Sequence, residues 1–419
     1  MRTVKSTALL TAAVLLMITG SLFGQGAVKI GMNYPKTGPY AVMGLDQLRA
    51  AQMAAEEING AGGIMGRRIE LVYRDSKSNA DVTRENVASL IDVDGASMVF
   101  GGSSSGVALA AADVCNARQV PFFATLAYAT GITGSGGYRT TFRECYDSWM
   151  AARAIGDYLT THYPGKRYFY ITADYNWGWS TEAAVRTSTN TEDKSKHIGL
   201  LVPSPGAQES DFKRALSFAQ MIKPDVVVLV LFGSDMVDCI RIATTMGIKK
   251  DVQLVVPNLT LGMAEGAGPK VMEGVIGAVP WTWQVPVKYS YSRGQEFVDK
   301  YSQKYDRYPS TSGASAYTIV YEYKSAVERA GSFRTDAVVK ALENHKYTLL
   351  KDAQQWRGFD HQSIQTVYLV KCRKEPEVLT DKYRLDYFEI ISSIPGELAA
   401  KTYEEWLADR KLAGASSEL

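Results

Sequence analysis

The feature that most constrains this chain is an alternation of short apolar segments with amphipathic helical stretches. The strongest apolar segment is residues 226–232, which are seven apolar residues in a row, VVVLVLF. A strand without polar alternation is buried on both faces, which is typical of a parallel sheet covered by helices on each side. The alternation therefore predicts an α/β fold built from doubly wound, mainly parallel sheets.

The alternation falls into two series, which predicts two lobes. The first series covers residues 28–124 and the second covers residues 148–279. After residue 280 the chain is mostly helical, and two strand-like segments follow at 365–371 and 386–391. Because these helices have no sheet of their own, we expect them to return to the first lobe and the late strands to join the second. The predicted division is 27–145 with 281–355 for lobe 1, and 146–280 with 356–419 for lobe 2, joined by a multi-strand hinge.

Residues 1–26 have the pattern of a cleaved secretory signal. Arg2 and Lys5 give a basic start, residues 8–18 are apolar apart from one threonine, and small residues follow. The apolar part is shorter than the about 20 residues that a membrane helix needs. We therefore expect an exported, periplasmic protein, with cleavage after Ser21 or Gly26.

The charge balance of the chain excludes one class of partner. Lys and Arg number 46 and Asp and Glu 44, so removal of Arg2 and Lys5 leaves 44 of each. A neutral chain without runs of like charge lacks the basic surface that binds phosphate backbones. We expect no nucleic-acid partner.

The four cysteines and four histidines predict neither a metal site nor a cofactor. Zinc sites use closely spaced ligand pairs, and no CxxC motif is present. Export permits disulfides, and of the three possible pairings we favour Cys115 with Cys145. Buried free thiols are the alternative, above all for Cys239, which lies in a helical pattern.

A glycine- and serine-rich segment, GGSSSG at 101–106, joins a predicted strand to a predicted helix. Backbone N–H groups and hydroxyls at a helix N-terminus form an anion site, so Ser104 and Ser105 are candidate ligand residues. The alternative is that one of them only caps the helix.

The same segment contains G-x-S-x-G at 102–106, the nucleophile elbow of α/β-hydrolases. A secreted serine hydrolase with Ser104 as nucleophile is therefore the competing hypothesis from another class. Its histidine would come from the four that the sequence offers, which are His162, His197, His345 and His361.

Five segments in order resemble a known family. They are VKIGMNYPKTGPYAVMG at 28–44, AEEINGAGGIMGRRIELVYRDS at 55–76, FGGSSSGVALA at 100–110, TTFRECYDS at 140–148 and ADYNWGW at 173–179. The chain resembles the type I periplasmic solute-binding proteins, specifically the branched-chain amino acid and amide receptors of ABC transporters. The resemblance implies two Rossmann-like lobes that close on a small solute, a monomer that docks on a membrane permease, and no catalytic residues. A ligand-sensing subunit with the same fold is a further alternative.

The resemblance also implies which residues contact the solute. Ser105, with Ser104, would hold a carboxylate, and Thr125 and Ala127 would form a second clamp. Tyr128 follows that clamp and would contact the solute or cover the edge of the lobe. The other implied contacts are Met43 as a wall of the pocket, Tyr175 and Trp177 as aromatic faces from the second lobe, and Phe232 and Asn258 at strand ends.

Asn258 departs from the pattern of the family. Amino acid receptors carry a carboxylate there for the α-ammonium group, whereas asparagine is neutral. Unless Asp147, Asp174 or Asp235 substitutes, an amino acid is disfavoured. We expect a small solute with a carboxylate or an amide, either amino-acid-like or an aromatic acid. The disulfide of the family is also missing, since Lys77 and Ser104 stand at its positions.

Overall fold

The computed structural model describes residues 26–419 of the 419-residue chain. The predicted signal segment therefore lies outside the described residues, except for Gly26. Two large sheets with helices on both faces form two lobes, which confirms the predicted doubly wound α/β fold.

The first sheet has five strands, all parallel, in the order β2-β1-β3-β4-β5. Its strands are β1 (Val28–Tyr34), β2 (Ile69–Asp75), β3 (Met98–Gly101), β4 (Phe122–Ala124) and β5 (Thr141–Arg143). The helices between them are α1 (Ala41–Gly60), α2 (Ala80–Asp92) and α3 (Ser105–Ala117), with a 3₁₀ turn at Thr130–Ile132.

The second sheet has seven strands in the order β15-β14-β10-β9-β8-β6-β7. Its strands are β6 (Tyr168–Ala173), β7 (Gly199–Val202), β8 (Val226–Val230), β9 (Gln253–Asn258), β10 (Ile276–Val279), β14 (Val367–Cys372) and β15 (Phe388–Ile394). The helices of this series are α4 (Ser148–His162), α5 (Asn176–Thr189), α6 (Glu209–Ile222), α7 (Ser234–Thr245), α8 (Leu261–Ala267) and α9 (Pro269–Met272), with a 3₁₀ turn at Ile248–Lys250. The strands β14 and β15 are antiparallel to their neighbours, and the others are parallel.

The remaining elements all follow β10 along the chain. They are α10 (Gln284–Lys288), α11 (Ser292–Tyr305), α12 (Thr311–Ala330), α13 (Thr335–Leu342), a small antiparallel sheet of β11 (Lys346–Tyr347), β12 (Gln354–Trp356) and β13 (Ser363–Ile364), and then α14 (Glu375–Thr380), α15 (Gly396–Ala399) and α16 (Tyr403–Leu412). Helix α12 packs on α1 of the first lobe, and β14 and β15 extend the second sheet. The chain therefore passes between the lobes three times, near residues 145, 280 and 360.

The last helix connects the lobes in a way that the sequence did not indicate. The Trp406 indole of α16 donates to the Thr133 carbonyl oxygen at 2.9 Å, and Arg410 donates to the Gly134 carbonyl oxygen. Both acceptors lie in the first lobe, although the predicted division gives residues 356–419 to lobe 2. The exact lobe boundaries stay a prediction.

The apolar segment 226–232 divides between core and loop. Strand β8 covers only Val226–Val230, and all five of its residues are buried between the two helix layers. Leu231 and Phe232 continue past the end of the strand, and Gly233 precedes α7 with a φ of +62°. Phe232, the aromatic residue that ends the segment, therefore lies at the carboxyl edge of the sheet and not inside it.

The favoured disulfide between Cys115 and Cys145 is wrong. All four cysteines are buried free thiols. Cys115 lies in α3, whereas the Cys145 thiol points to the Ala127 carbonyl oxygen at 3.6 Å. Burial raises the pKa of Cys145 to about 12, so the thiol is neutral at physiological pH. The buried-thiol alternative describes these residues.

The described residues, 26–419, include no helix that is both long enough and apolar enough to span a bilayer.

The glycine that ends β3 gives a test of the fold. We expect Gly101→Ala to lower the free energy of unfolding by about 2 to 4 kcal/mol. Gly101 has a φ of +134°, and a Cβ there would lie 2.1 Å from the Asn33 carbonyl oxygen of the neighbouring β1. Chemical unfolding followed by circular dichroism measures the loss.

Gly106→Ala is the matched control. A Cβ at Gly106 has no neighbour within 4 Å, and the residue lies in α3, where alanine is favoured over glycine by about 1 kcal/mol. Equal destabilisation by both variants would contradict the steric argument.

Candidate functional site

The predicted site residues lie where the carboxyl edges of the two parallel sheets face each other. On the first lobe, Met43 is in α1 after β1, Ser104 and Ser105 follow β3, and Thr125 and Ala127 follow β4. On the second lobe, Tyr175 and Trp177 follow β6, Phe232 follows β8, and Asn258 ends β9. Carboxyl edges are where open α/β sheets bind ligands, so the structure places all nine residues at the expected edges.

An aromatic cluster joins the two lobes. It consists of Tyr40, Tyr128, Tyr146, Tyr175, Trp177 and Phe232, called here the interlobe aromatic cluster. The Phe232 ring lies 5.5 Å from Tyr40, 5.8 Å from Tyr128 and 5.9 Å from Trp177 between centroids. Tyr40 and Tyr128 belong to the first lobe and Phe232 and Trp177 to the second. Phe232 is therefore the ring that connects the two sides.

Two glycines of the second lobe allow this close approach. A Cβ at Gly233 would lie 2.7 Å from both the Pro39 carbonyl oxygen and the Tyr40 ring. A Cβ at Gly262 would lie 2.9 Å from Val42 and 3.3 Å from the Met43 sulfur. Met43, predicted as a wall of the pocket, therefore lies at the contact between α1 and α8.

The serine-rich segment presents an unpaired hydroxyl. Ser104 is the N-cap residue of α3, but its side chain makes no capping hydrogen bond. Ser105 is only 1% exposed, and its Oγ has no hydrogen-bond partner among residues 26–419. A buried hydroxyl without a partner is costly, and this one lies in the first turn of a 13-residue helix. These observations fit an anion site better than a simple cap.

The backbone at Ser104 does not fit a nucleophile elbow. The elbow places its serine on a strained turn, whereas Ser104 is extended, with a φ of −156° and a ψ of 167°. His361, the most buried of the four histidines, lies against the Thr141 carbonyl oxygen and Glu343. The geometry gives the hydrolase hypothesis no support.

The loop that forms the predicted second clamp is held by hydrogen bonds of its own residues and of the buried Arg143. The Thr125 amide and hydroxyl both donate to the Gly101 carbonyl oxygen, at 3.0 and 3.3 Å. Arg143 is 1% exposed and donates to the Ala129 carbonyl oxygen and to Asp147 at 3.1 Å. Hydrogen bonds from Thr125 and Arg143 therefore hold the loop that carries Thr125 and Ala127.

Asn258 contacts the cluster through its amide. The Trp177 indole N–H donates to Asn258 Oδ1 at 3.2 Å, and both side chains are buried. Asn258 Nδ2 is buried and has no partner of good geometry among residues 26–419. The Tyr146 hydroxyl donates to the Ala278 carbonyl oxygen at 2.9 Å, and its oxygen lies near Asn258 Nδ2, where it can accept from one of the two amide N–H groups.

The three acidic side chains that could replace the missing carboxylate are already engaged. Asp147 caps α4 and pairs with Arg143. Asp174 is exposed and accepts the Trp179 indole N–H at 3.0 Å. Asp235 accepts the Ser204 hydroxyl at 2.6 Å and the Gly206 amide at 3.1 Å. Asp174 and Asp235 bond within the second lobe, and Asp147 joins the start of α4 to Arg143 of the first sheet.

The tyrosines of the cluster are uncharged. Burial raises the pKa of Tyr40 to about 12 and raises the pKa of Tyr128 and Tyr175 well above the usual value. A neutral phenol offers an apolar face and one hydroxyl, which suits contact with an organic molecule. Within residues 26–419, no group of three or more His, Cys, Asp or Glu side chains could hold a metal ion.

The sequence analysis missed three of the residues that form this site. Tyr40 and Tyr146 lie in two of the segments that carry the family resemblance, but we did not predict contacts for them. Gly233 follows Phe232 directly. All three lie in strand-to-helix loops at carboxyl edges, and that position is the signal that could have identified them.

Comparisons with known proteins agree with the two-lobed fold. Residues 27–376 match the family model described as periplasmic binding protein. Leu/Ile/Val-binding protein homolog 7 of Brucella suis biovar 1 (strain 1330) is 28% identical over 353 residues, which cover 80% of this chain and 85% of the relative. A periplasmic binding protein from Burkholderia mallei superposes with a TM-score of 0.81 at 27% identity, covering 90% of this chain and 97% of the other. For an amino acid ABC transporter substrate-binding protein from Pseudomonas fluorescens Pf-5 the TM-score is 0.78 at 25% identity, with 89% and 96% covered.

The two tryptophans of residues 173–179 give a test of the site. We expect Trp177→Phe to lower the free energy of unfolding by about 2 kcal/mol, because it leaves the buried Asn258 Oδ1 without its donor. Trp179→Phe is the matched control and should cost less than about 0.5 kcal/mol, since Trp179 is 50% exposed. Urea unfolding of both variants measures the difference, and equal costs would contradict the buried hydrogen bond.

Proposed function

Since the chain belongs to the periplasmic binding protein family, of the type found in branched-chain amino acid ABC receptors, we propose that it is a solute-binding receptor of an ABC importer. It captures a small polar organic solute that carries a carboxylate or an amide. The observation that carries this proposal is the interlobe aromatic cluster, together with the unpaired Ser105 hydroxyl on one lobe and the buried Asn258 amide on the other.

The proposed site consists of Ser104, Ser105, Thr125, Ala127, Met43, Tyr175, Trp177, Phe232 and Asn258. The serine residues and the α3 N-terminus hold the anionic or polar end of the solute. Trp177 and Phe232 cover its apolar body from the second lobe. Tyr40, Tyr128 and Tyr146 extend the same surface from the first lobe and the hinge.

The proposed mechanism is closure about the hinge. A solute that contacts both lobes binds the closed form better than the open form and therefore shifts the equilibrium to the closed form. The closed form is then recognised by a membrane permease, and the receptor acts outside the cytoplasm. A ligand-sensing subunit would use the same site with a different docking partner, and the genes beside this one would distinguish the two roles.

The first experiment is mass spectrometry on the purified protein, in the native state and after unfolding. We expect a small organic molecule to leave the protein on unfolding with its covalent structure intact. Hydrolysis of generic esters by the wild-type protein, abolished in Ser104→Ala, would overturn the receptor proposal in favour of the hydrolase.

The second experiment tests closure. We expect Gly262→Leu to weaken solute binding by about 10- to 100-fold, because a side chain there meets Val42 and Met43 across the cleft. Solution scattering of the purified variant should give a larger radius of gyration than for the wild type, and less solute should co-purify.

Gly266→Leu is the matched control in the same helix. Gly266 is exposed, and its nearest neighbour, Val237, belongs to the same lobe. If both variants bound solute as the wild type does, or if both lost it equally, the contact between α1 and α8 would not belong to the closing surface.

A further inference from the structure

The amide of Asn258 is held in one orientation by its neighbour. The Trp177 indole N–H can only donate, so the atom that faces it at 3.2 Å must be the amide oxygen. The other end of the amide, Nδ2, therefore carries the two N–H groups and points away from Trp177. The end of the Asn258 amide that is left to meet a solute is a donor and not an acceptor.

This donor is not fully satisfied by the protein. Asn258 is 1% exposed, and Nδ2 makes no hydrogen bond of good geometry in the described part of the chain. The Tyr146 hydroxyl oxygen lies near Nδ2 and can accept from one of its two N–H groups, so the other N–H group is left without an acceptor. A buried amide N–H without an acceptor costs about 1 to 3 kcal/mol. A solute with an oxygen at this point would recover that energy, whereas an ammonium group would bring a second set of N–H donors against it.

The first lobe also offers donors. Ser105 Oγ is buried and unpaired and can donate, and it lies in the first turn of α3, where backbone N–H groups have no partner within the helix. Helix α3 contacts α5, the helix that carries Trp177, and the Trp177 indole is bonded to Asn258. Together they fit a solute with oxygen atoms directed to both lobes.

The carboxylates at the site do not compensate for an ammonium group. Asp147 pairs with Arg143, Asp174 is exposed beside Trp179, and Asp235 is bonded to Ser204 and Gly206. Burying an ammonium group without a free counter-charge is costly. The two donors and the engaged carboxylates therefore both disfavour an ammonium group and favour an oxygen atom of the solute.

We infer that the solute is a 2-oxo acid with an apolar body, in which a carbonyl oxygen facing Asn258 replaces the α-ammonium of an amino acid. This inference rests on the proposed receptor function and narrows its solute class. The carboxylate lies at Ser105 and the α3 N-terminus, the oxo group accepts from Asn258 Nδ2, and the apolar body packs on Trp177 and Phe232.

The experiment compares two pairs of molecules that differ only at this group. Phenylpyruvate is compared with L-phenylalanine, and 4-methyl-2-oxopentanoate with L-leucine, by calorimetry on protein freed of co-purified solute by unfolding and refolding. We expect at least one oxo acid to bind about 100-fold tighter than its amino acid. Tighter binding of the amino acid in both pairs would overturn the inference.

Asn258→Asp tests the residue directly. The carboxylate still accepts the Trp177 N–H but presents an acceptor to the solute, so affinity for the oxo acid should fall about 100-fold while affinity for the amino acid rises. Asn190→Asp, on the exposed C-terminal end of α5, is the control and should change neither affinity.

Trp177→Phe provides a second variant if Asn258→Asp does not fold. Without the indole donor, the amide can rotate and present its oxygen, so the preference for the oxo acid should decrease by about tenfold or more. An unchanged preference would overturn the role of the Asn258 orientation.

Failure of this inference can be separated from failure of the proposed function. If neither member of either pair binds, the 2-oxo acid assignment is wrong. The receptor function is then judged separately by the mass of the molecule that co-purifies with the wild-type protein.

Discussion

The rest of this structure depends on one constraint. The carboxyl edges of the two sheets must meet across a cleft. Phe232 sits at that meeting because β8 ends two residues earlier and Gly233 turns the chain into α7 with a positive φ. A side chain at position 233 would collide with Pro39 and Tyr40. The contact between the lobes therefore requires a large ring followed directly by a glycine.

The fold was predictable because its signal is repeated along the chain. Each buried strand carries its own apolar run, so the two series and the return of β14 and β15 to the second sheet could be expected from pattern alone. Individual long-range contacts, which no repeated pattern signals, were not predictable. The hydrogen bond from Trp406 to Thr133 joins residues 273 positions apart, and no local sequence pattern indicates it.

The site was predictable in position but only partly in chemistry. Strand ends and the family resemblance were enough to select Ser105, Trp177 and Asn258 for the cleft. The direction of the Asn258 amide depends on the indole of Trp177, a neighbour 81 positions away, so the sequence could say only that the group is neutral. The favoured pairing of Cys115 with Cys145 failed for the same reason, since spacing does not give the direction of a thiol.

The segments that join the lobes fit the proposed closure. Near residues 145 and 362, two crossing segments are joined side by side, with Gln362 Nε2 donating to the Cys145 carbonyl oxygen at 3.0 Å. At the neighbouring crossing, Lys351 Nζ donates to the Pro280 carbonyl oxygen at 2.7 Å, and burial lowers the pKa of this lysine to about 8. These bonds lie within the linking segments. In the proposed closure the contacts that change are those of the rings around Phe232, so a solute bound among those rings would act directly on the balance between the open and closed forms.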